Sequence, residues 1–326
     1  MVRTHRRRLV VTIAVAALAA GIAAVVIGVS QSADDGGTIR FAYQNRVGSA
    51  ACILAVEKGF FADEGLRVEP FRFSSGPACA EALYTGSADV GTMGDTTAII
   101  TVARGRAFTI IASHGRGEHR HRLMVGRNSQ IRSPRDLAGR TIGVKMGTST
   151  YGGFLAFLAS NGLARDRVRV VDMGPSEMPD ALAAGSIDAF VASEPTPSLA
   201  ETRGARQLAT MGGLGNSYPL LVLTRSEMLA DRPEDIRRFL RALRRGVGWI
   251  REQPEDAAKV LTNATGLPSD VARKAMARHA YSLCLDEDII KSLRKTAAFL
   301  KQQRIIDRLP DLRRAADGLY LQAGPR

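Results

Sequence analysis

From residue 38 to residue 223 the sequence alternates between short apolar segments and longer segments with a helical pattern. Thr38–Tyr43 and Phe108–Ser113 have the composition of buried strands, whereas Ala51–Lys58 and Tyr151–Ser160 have that of helices. Glycine follows several of the helical segments, at the position where a left-handed residue closes the last turn. Because strands that alternate with helices form parallel βαβ units, this pattern predicts an α/β fold built on parallel strands.

The alternation falls into two units, and a helical tail follows them. From Asp231 onward, apolar residues recur at the spacing of one helix face. We expect a discontinuous first lobe at residues 33–122 and 219–326, and a second lobe at residues 123–218. Each lobe is predicted to hold a mixed, mostly parallel sheet flanked by helices, with the C-terminal helical tail packed on the first lobe.

The first 32 residues have the pattern of an export signal. Several arginines precede an uninterrupted apolar run from Leu9 to Val29. A basic region before an apolar one is typical of a secretory signal, and this run is also just long enough to span a bilayer. Residues 1–32 are therefore predicted to be either a cleaved signal peptide or a retained membrane anchor. Residues 33–326 are predicted to be periplasmic or otherwise extracytoplasmic.

The chain is basic, with 45 Lys and Arg against 32 Asp and Glu and a formal net charge of +13. Four of the arginines lie in the first eight residues, and the other basic residues are scattered. Because no basic stripe interleaved with aromatic residues occurs, we expect a solvated basic surface and no nucleic-acid partner. We expect a monomer that contacts the membrane only through its N-terminal segment.

The three cysteines, Cys52, Cys79 and Cys284, form no CxxC motif and no cluster with histidines, so no structural zinc site is expected. An oxidising compartment allows one disulfide. Cys52 and Cys79 both lie near the starts of early predicted helices, so we expect them to pair and Cys284 to be free. Three histidines between residues 114 and 121 lack a further ligand of suitable spacing, which favours a polar segment between the lobes over a metal site.

Several short segments resemble segments of the periplasmic binding proteins for sulfonates, nitrate and taurine, and they occur along the chain in the same order as in that family. The resemblance extends over about residues 38–225 and rests on Ile53–Phe61, Glu64-Gly65-Leu66, Asp136–Val144, Ala181–Phe190 and the Glu194-Pro195 pair. It implies the type II-like periplasmic binding fold, with two α/β lobes, a ligand in the cleft and a hinge of two crossovers. It also implies an ABC permease and its ATPase as partners.

Two loops that leave a strand and open a helix are the main candidates for ligand binding: Gly91–Thr97 in the first unit and Gly147–Gly153 in the second. Such junctions present free backbone N–H groups and the positive end of a helix dipole, at the sheet edge where open α/β sheets bind ligands. Two facing loops predict an anion clamp; the alternative is that their polar residues only cap the helices. The candidate residues in these loops are Gly94, Asp95, Thr96, Thr97, Gly147, Thr148, Ser149 and Thr150.

Further candidates follow other predicted strands. Gln44, Asn45 and Ser49 come after the first strand, where they either contact the ligand or serve in turns and caps. His114 lies just past another strand end. The resemblance places Glu194 at or near the cleft, where a carboxylate would bind a ligand amine, fix a contact between lobes, or only favour the start of the next helix.

These features predict a solute-binding component of an ABC importer that needs no cofactor and binds a small oxyanion-bearing organic, such as an aliphatic sulfonate or taurine. If Asp95 and Glu194 both line the cleft, a zwitterion fits better than a bare dianion. The alternatives are a binding protein for a thiamine-precursor pyrimidine or nitrate, an enzyme on the same fold, and a membrane-tethered sensory module. The absence of a Walker A motif argues against nucleotide hydrolysis. A thiamine-pathway synthase of similar fold carries a Cys-rich iron motif, which three dispersed cysteines do not reproduce.

Overall fold

Ten strands in the described part of the chain form two five-stranded sheets. The structure is a computed structural model and describes residues 37–105 and 108–321, so the predicted signal or anchor at residues 1–32 lies outside the described residues. The first sheet contains β1 (Ile39–Gln44), β2 (Val68–Phe73), β3 (Val90–Gly94), β4 (Phe108–Gly115) and β10 (Leu220–Arg225). The second sheet contains β5 (His121–Val125), β6 (Thr141–Val144), β7 (Arg169–Asp172), β8 (Ala189–Ser193) and β9 (Arg206–Thr210).

Both sheets have the same topology. Their strand orders are β2-β1-β3-β10-β4 and β7-β6-β8-β5-β9. In the first sheet β1 pairs in parallel with β2 and β3, and β10 runs antiparallel to β3 and β4. In the second sheet β6 pairs in parallel with β7 and β8, and β5 runs antiparallel to β8 and β9. The chain crosses between the sheets after β4 and again after β9. The predicted two-lobed α/β fold with mixed sheets is confirmed.

Helices follow most of the strands and form the whole C-terminal part. The βα units contribute α1 (Ala50–Glu57), α2 (Phe60–Asp63), α3 (Gly76–Tyr84), α4 (Asp95–Ala103), α5 (Ser149–Ser160), α6 (Met178–Ala183) and α7 (Thr196–Thr202). After β10 come α8 (Ser226–Asp231), α9 (Pro233–Glu252), α10 (Pro254–Thr265), α11 (Ser269–Met276), α12 (Glu287–Gln302) and α13 (Leu312–Ala315). Within the described residues, no helix is both long and apolar enough to cross a bilayer.

The C-terminal helices pack on both faces of the first sheet. Successive residues of a strand point to opposite faces. Accordingly, Phe41 of β1 packs in one core with Phe239 of α9, whereas Ala42 belongs to a second core with Leu293 of α12. Burying a side chain as large as Phe239 contributes about 1.5–3 kcal/mol, so the tail is part of the core on which the first sheet depends. From Thr38 onward the chain forms one compact unit, and the lobe boundaries stay a prediction.

The second sheet is also covered on both faces. Leu123 and Val125 of β5 pack in a core with Phe154 of α5, whereas Met124 between them packs in another core with Phe190 of β8. The crossover strand β5 therefore holds two layers of helices together, and it fixes the residues just before it relative to the sheet.

The predicted Cys52–Cys79 disulfide is wrong, because all three cysteines are free thiols. Cys52 on α1 packs in the core on the Phe41 face of the first sheet, and Cys79 on α3 packs on the Ala42 face. A disulfide needs Cα atoms about 4.4–6.8 Å apart, and these two helices lie on opposite sides of the sheet. Burial raises the pKa of both thiols far above the usual range, which keeps them protonated.

Candidate ligand-binding site

The carboxyl ends of strands from both sheets surround one cavity. β1 and β3 end there in the first sheet, and β6 and β8 end there in the second. In each sheet this is the point where the chain order reverses, which is where open α/β sheets bind ligands. The cavity volume is about 50 Å³, room for only a few water-sized groups. The polar lining residues are Gln44, Arg46, Ser49, Ser75, Thr97, Arg120, His121, Lys145, Thr148, Ser149, Thr150, Ser193 and Glu194.

Arg120 is a buried cation in the wall of this cavity. It lies on the crossover between β4 and β5, and only 3% of its surface is exposed. Its Nη1 donates to Ser193 Oγ at 2.8 Å and its Nη2 to the Tyr218 carbonyl at 2.9 Å. Its Nε has no partner among the described residues. Burial lowers the pKa of Arg120 to about 10, because the charged form loses its hydration and gains no carboxylate in direct contact.

Arg46 connects the two sheets beside the same cavity. It lies two residues after β1, and its Nη2 donates to the carbonyls of Ser193 at 2.8 Å and Glu194 at 3.2 Å, at the end of β8. Burial lowers the pKa of Arg46 to about 10, and the more distant Glu194 carboxylate partly opposes that shift. Within the described part of the chain, neither Arg46 nor Arg120 forms an ion pair. Buried charges in proteins are normally paired, so this cavity is suited to an anion.

Helix α5 begins at the cavity. Thr148 caps it, since its Oγ1 accepts from the N–H of Tyr151 at 3.3 Å. The next residue, Ser149, is only 4% exposed, and its Oγ has no partner in the described chain. Gly94 at the end of β3 makes room for it, because a Cβ at Gly94 would lie 2.1 Å from Ser149 Oγ. The helix N-terminus and this free hydroxyl both favour a bound anion.

His121 adds a neutral imidazole to the lining. Its Nδ1 lies 2.8 Å from Thr150 Oγ1, and its ring packs edge-on against Tyr218 with centroids 4.7 Å apart. Its Nε2 has no described partner. Burial, and then the positive charges of Arg120 and Arg46, hold the pKa of His121 well below its usual value. The ring is therefore uncharged near neutral pH.

The two acidic residues predicted at the cleft are both bound to other parts of the protein. Asp95 is fully buried and outside the cavity lining; its carboxylate accepts from Asn216 Nδ2 and from a threonine hydroxyl of α12, each at 2.8 Å. Glu194 does line the cavity, but its carboxylate pairs with Arg122 at 3.0 Å and accepts from the N–H of Ser198 at 3.3 Å. The cavity consequently has a net positive character.

Part of the lining is apolar, and contacts between the sheets enclose the space. The apolar part of the lining consists of Pro175, Met178, Val191, Ala192 and Leu220. Thr97 Oγ1 donates to the Gly147 carbonyl at 2.8 Å, which joins the start of α4 to the loop before α5. This arrangement is that of an enclosed cleft with a cationic side and an apolar side.

Eight of the predicted residues line the cavity and five do not. The lining ones are Gln44, Ser49, Gly94, Thr97, Thr148, Ser149, Thr150 and Glu194, and the others are Asn45, Asp95, Thr96, Gly147 and His114. The second group lies within the protein and not at the cavity. Asn45 Nδ2 donates to the Ala264 carbonyl at 2.9 Å, Thr96 lies against Gly152 of α5, and burial lowers the pKa of His114 to about 3. A strand end thus predicted the neighbourhood of these residues, but not the direction of each side chain.

The cationic residues of the lining were not among the residues predicted from the sequence. Arg46 follows Gln44 and Asn45 in the same strand-end loop, so its position was a usable signal. Arg120 and His121 belong to the segment of histidines and arginines that we interpreted as a polar connection between lobes. That connection is the crossover, which explains why its residues reach the cleft.

Two α/β sheets joined by two crossovers, with a cationic cavity between their strand ends, define a two-lobed binding protein of the periplasmic type. The chain belongs to the NMT1/THI5-like family, whose model matches residues 47–257. A relative from Bacillus subtilis (strain 168), named for binding aliphatic sulfonates, is 27% identical over 276 residues, covering 83% of each chain. The taurine-binding periplasmic protein of Escherichia coli (strain K12) is 22% identical over 281 residues, covering 81% of this chain and 86% of its own.

Solved structures share the fold. The alkanesulfonate-binding protein SsuA from Xanthomonas axonopodis pv. citri, bound to MOPS, superposes with a TM-score of 0.81 at 24% identity and covers 87% of this chain and 99% of its own. The desulfurization enzyme DszB superposes with a TM-score of 0.67 at 18% identity and covers 87% of this chain and 97% of its own. Binding proteins and an enzyme thus have this architecture, so function has to be argued from the residues of the site.

Proposed function

We propose that this chain is the extracytoplasmic solute-binding component of an ABC importer, and that it binds a small organic oxyanion, with an aliphatic sulfonate as the leading candidate. The observation that carries the proposal is the pair Arg46 and Arg120, two guanidiniums in one small cavity with no ion-pair partner among the described residues. A bound anion supplies the charge that the protein itself does not place there.

The type of anion follows from the remaining lining. Arg120 Nε and Ser149 Oγ lack protein partners, and the N-terminus of α5 is directed at the same space. A sulfonate presents three acceptor oxygens to such donors. Its apolar substituent would contact Met178 and Leu220. Because Glu194 is neutralised by Arg122 and Asp95 lies outside the lining, a ligand ammonium has no free carboxylate, which favours an alkanesulfonate over taurine.

An importer partner and an extracytoplasmic location are supported by the relatives, which are named as periplasmic binding proteins, and by the export pattern of residues 1–32. A periplasm-only reporter fused after residue 40 is expected to be active, and replacement of Val15 and Ala19 by arginine is expected to abolish that activity. Activity of a cytoplasm-only reporter at the same position would contradict the location. Uptake of the ligand that depends on a neighbouring permease and ATPase would separate an importer from a sensory module.

The alternative with support of its own is an enzyme on the same fold, because DszB shares this architecture. We propose binding without turnover, since the cavity lining contains no cysteine among the described residues and Cys52 and Cys79 are buried in the cores. Prolonged incubation with an alkanesulfonate is expected to leave its mass unchanged. Release of sulfite or of an altered organic product would favour the enzyme.

The direct test is calorimetric titration with a panel of ethanesulfonate, taurine, nitrate, a neutral pyrimidine and a cationic pyrimidine. Ethanesulfonate is expected to bind more tightly than taurine, and the cationic pyrimidine is expected not to bind, because the guanidiniums of Arg46 and Arg120 repel it. Nitrate lacks the apolar part and is expected to bind more weakly. Binding of the pyrimidines alone would refute the oxyanion proposal and favour the thiamine-precursor alternative.

A further inference from the structure

Helices α4 and α5 begin on two sides of the cavity, and at two of the places where they meet one partner is glycine. A Cβ at Gly94 would clash with Ser149 Oγ, and a Cβ at Gly152 would lie 2.6 Å from Thr96 Oγ1. Helix α4 follows β3 of the first sheet, whereas α5 follows β6 of the second. The missing side chains therefore allow the two sheets to approach each other closely beside the cavity.

Gly152 and its neighbour Gly153 lie in the same helix but face different partners. A Cβ at Gly153 would lie 2.9 Å from Tyr218 Oη, and Tyr218 packs in the same core as the second sheet. The Gly152 contact instead crosses to Thr96, on the helix that follows a strand of the first sheet. Ser149 and Gly152 are three residues apart and share a helix face. Gly152 therefore determines how closely Ser149 can approach the first sheet.

A side chain at position 152 would push the two helices apart. Glycine within a helix costs folding stability relative to alanine, so helix formation does not explain its presence here. Thr96 is β-branched and 2% exposed, which leaves its hydroxyl little room to turn away. Ordinary van der Waals contact begins at 3.4 Å, so α5 would have to retreat by roughly 0.8 Å from Thr96. A retreat of that size stretches a hydrogen bond beyond its normal range.

We propose that Gly152 is a positioning residue for ligand binding, because its lack of a side chain lets the two sheets close until Ser149 on one side and Arg46 on the other reach the same anion. The inference rests on the proposed function, since it assumes that the anion occupies this cavity. A ligand held from both sheets gains its full contacts only in the closed arrangement, and so shifts the population toward closure. Gly152→Ala penalises that arrangement alone, because the free protein relieves the contact by opening at the crossovers.

The test measures the ethanesulfonate affinity of Gly152→Ala by calorimetry and its ligand-free stability by urea unfolding. The affinity is expected to fall about tenfold to a hundredfold, the usual cost of overpacking. The unfolding midpoint is expected not to fall, because exchanging glycine for alanine in a helix favours the folded state. Gly248→Ala in α9 is the matched control: the nearest described atom to a Cβ there is Glu252 Oε1 at 3.8 Å, so its affinity is expected to be unchanged.

A second exchange, made in the Gly152→Ala protein, identifies the contact that matters. Thr96→Ala removes the hydroxyl that the new methyl group meets, and is expected to restore the affinity to within about threefold of the unmodified protein. Thr96→Val keeps the shape of threonine and is expected to leave the affinity low. Thr96 is outside the cavity lining, so neither exchange removes a residue of the lining.

An affinity of Gly152→Ala within about threefold of the unmodified protein would overturn the inference while leaving the oxyanion proposal in place. Equal affinities of the two double variants would also overturn it, because Thr96 would then not be the obstacle. Failure of Gly152→Ala to fold would overturn it too, since the free protein is expected to relieve the contact by opening. If the unmodified protein does not bind ethanesulfonate, the proposed function fails and this inference fails with it.

Discussion

Arg120 at the end of the first crossover and Arg122 in strand β5 are two buried arginines, and exchanging each for methionine is expected to have opposite consequences. Arg120 is 3% exposed and Arg122 is 2% exposed. Arg122 is paired with Glu194 at 3.0 Å and also with Glu201, whereas the acceptors of Arg120 carry no charge. The first arginine is therefore positioned for a ligand, and the second for the fold.

The magnitudes follow from these partners. Burial lowers the pKa of Arg120 from 12.5 to about 10, which corresponds to a cost of about 3 kcal/mol to the free protein, fully present at every pH below 10. Arg120→Met removes that cost and loses two hydrogen bonds from a charged donor, worth about 1.5–3 kcal/mol each. The net fall in the free energy of unfolding is therefore expected to be at most about 3 kcal/mol. Arg122→Met leaves the buried Glu194 with only the longer contact to Arg278 at 3.8 Å, which costs up to about 3–5 kcal/mol.

The effect on binding is expected to be the reverse. Arg120→Met should weaken ethanesulfonate binding by about tenfold to a hundredfold, at tenfold per 1.4 kcal/mol. Arg122→Met should weaken binding less than Arg120→Met wherever it remains folded, because Arg122 itself is outside the cavity lining and acts on the ligand only through the charge of Glu194. Urea unfolding of the ligand-free proteins and calorimetric titration measure the two quantities. If Arg120→Met is as unstable as Arg122→Met and binds the ligand with unchanged affinity, the assignment of Arg120 to the ligand is refuted.

Three further outcomes are expected. Ser149→Ala should weaken binding about tenfold by titration without lowering the midpoint of unfolding, because Ser149 Oγ has no partner in the described protein; an unchanged affinity would place the anion elsewhere. Thiol counting on the denatured, unreduced protein should find Cys52 and Cys79 free, and a count of one would restore the disulfide. Burial lowers the pKa of His114 and His279 to about 3, below the unfolded value, so the unfolded chain binds more protons between pH 3 and 6.5. The free energy of unfolding should therefore be highest above pH 6.5 and decrease as the pH is lowered. His114→Gln should make that decrease shallower, and an identical slope in that variant would contradict the account.

The architecture followed from sequence because its signals are local. Period-two apolar segments, helical spacing and glycine at helix ends decide which segments become strands and helices, and the spacing around Phe239 on α9 predicted a helix with a buried side. The parallel strands followed from the alternation itself. The Cys52–Cys79 pairing failed because it depended on which face of the first sheet each helix covers, and no local pattern records that.

The site was predictable to the level of its loops. Strand ends and helix starts predicted the loops that hold Gln44, Gly94 and Ser149, and all three line the cavity; their contact with a ligand stays a prediction. The direction of a side chain depends on partners that are distant in sequence: Asp95 turns to Asn216, and Arg46 reaches the carbonyls at the end of β8. The role of Arg120 could not be predicted for the same reason, because it depends on the uncharged acceptors, distant in sequence, that its guanidinium contacts.

The measurement that tests the central claim most directly is mass spectrometry of the small molecule released from protein purified without denaturation or ligand exchange. The account predicts an organic anion that bears a sulfonate group and an uncharged apolar substituent, present in proportion to the protein and lost in Arg120→Met. Release of a cationic or neutral heterocycle, retained in Arg120→Met, would contradict it.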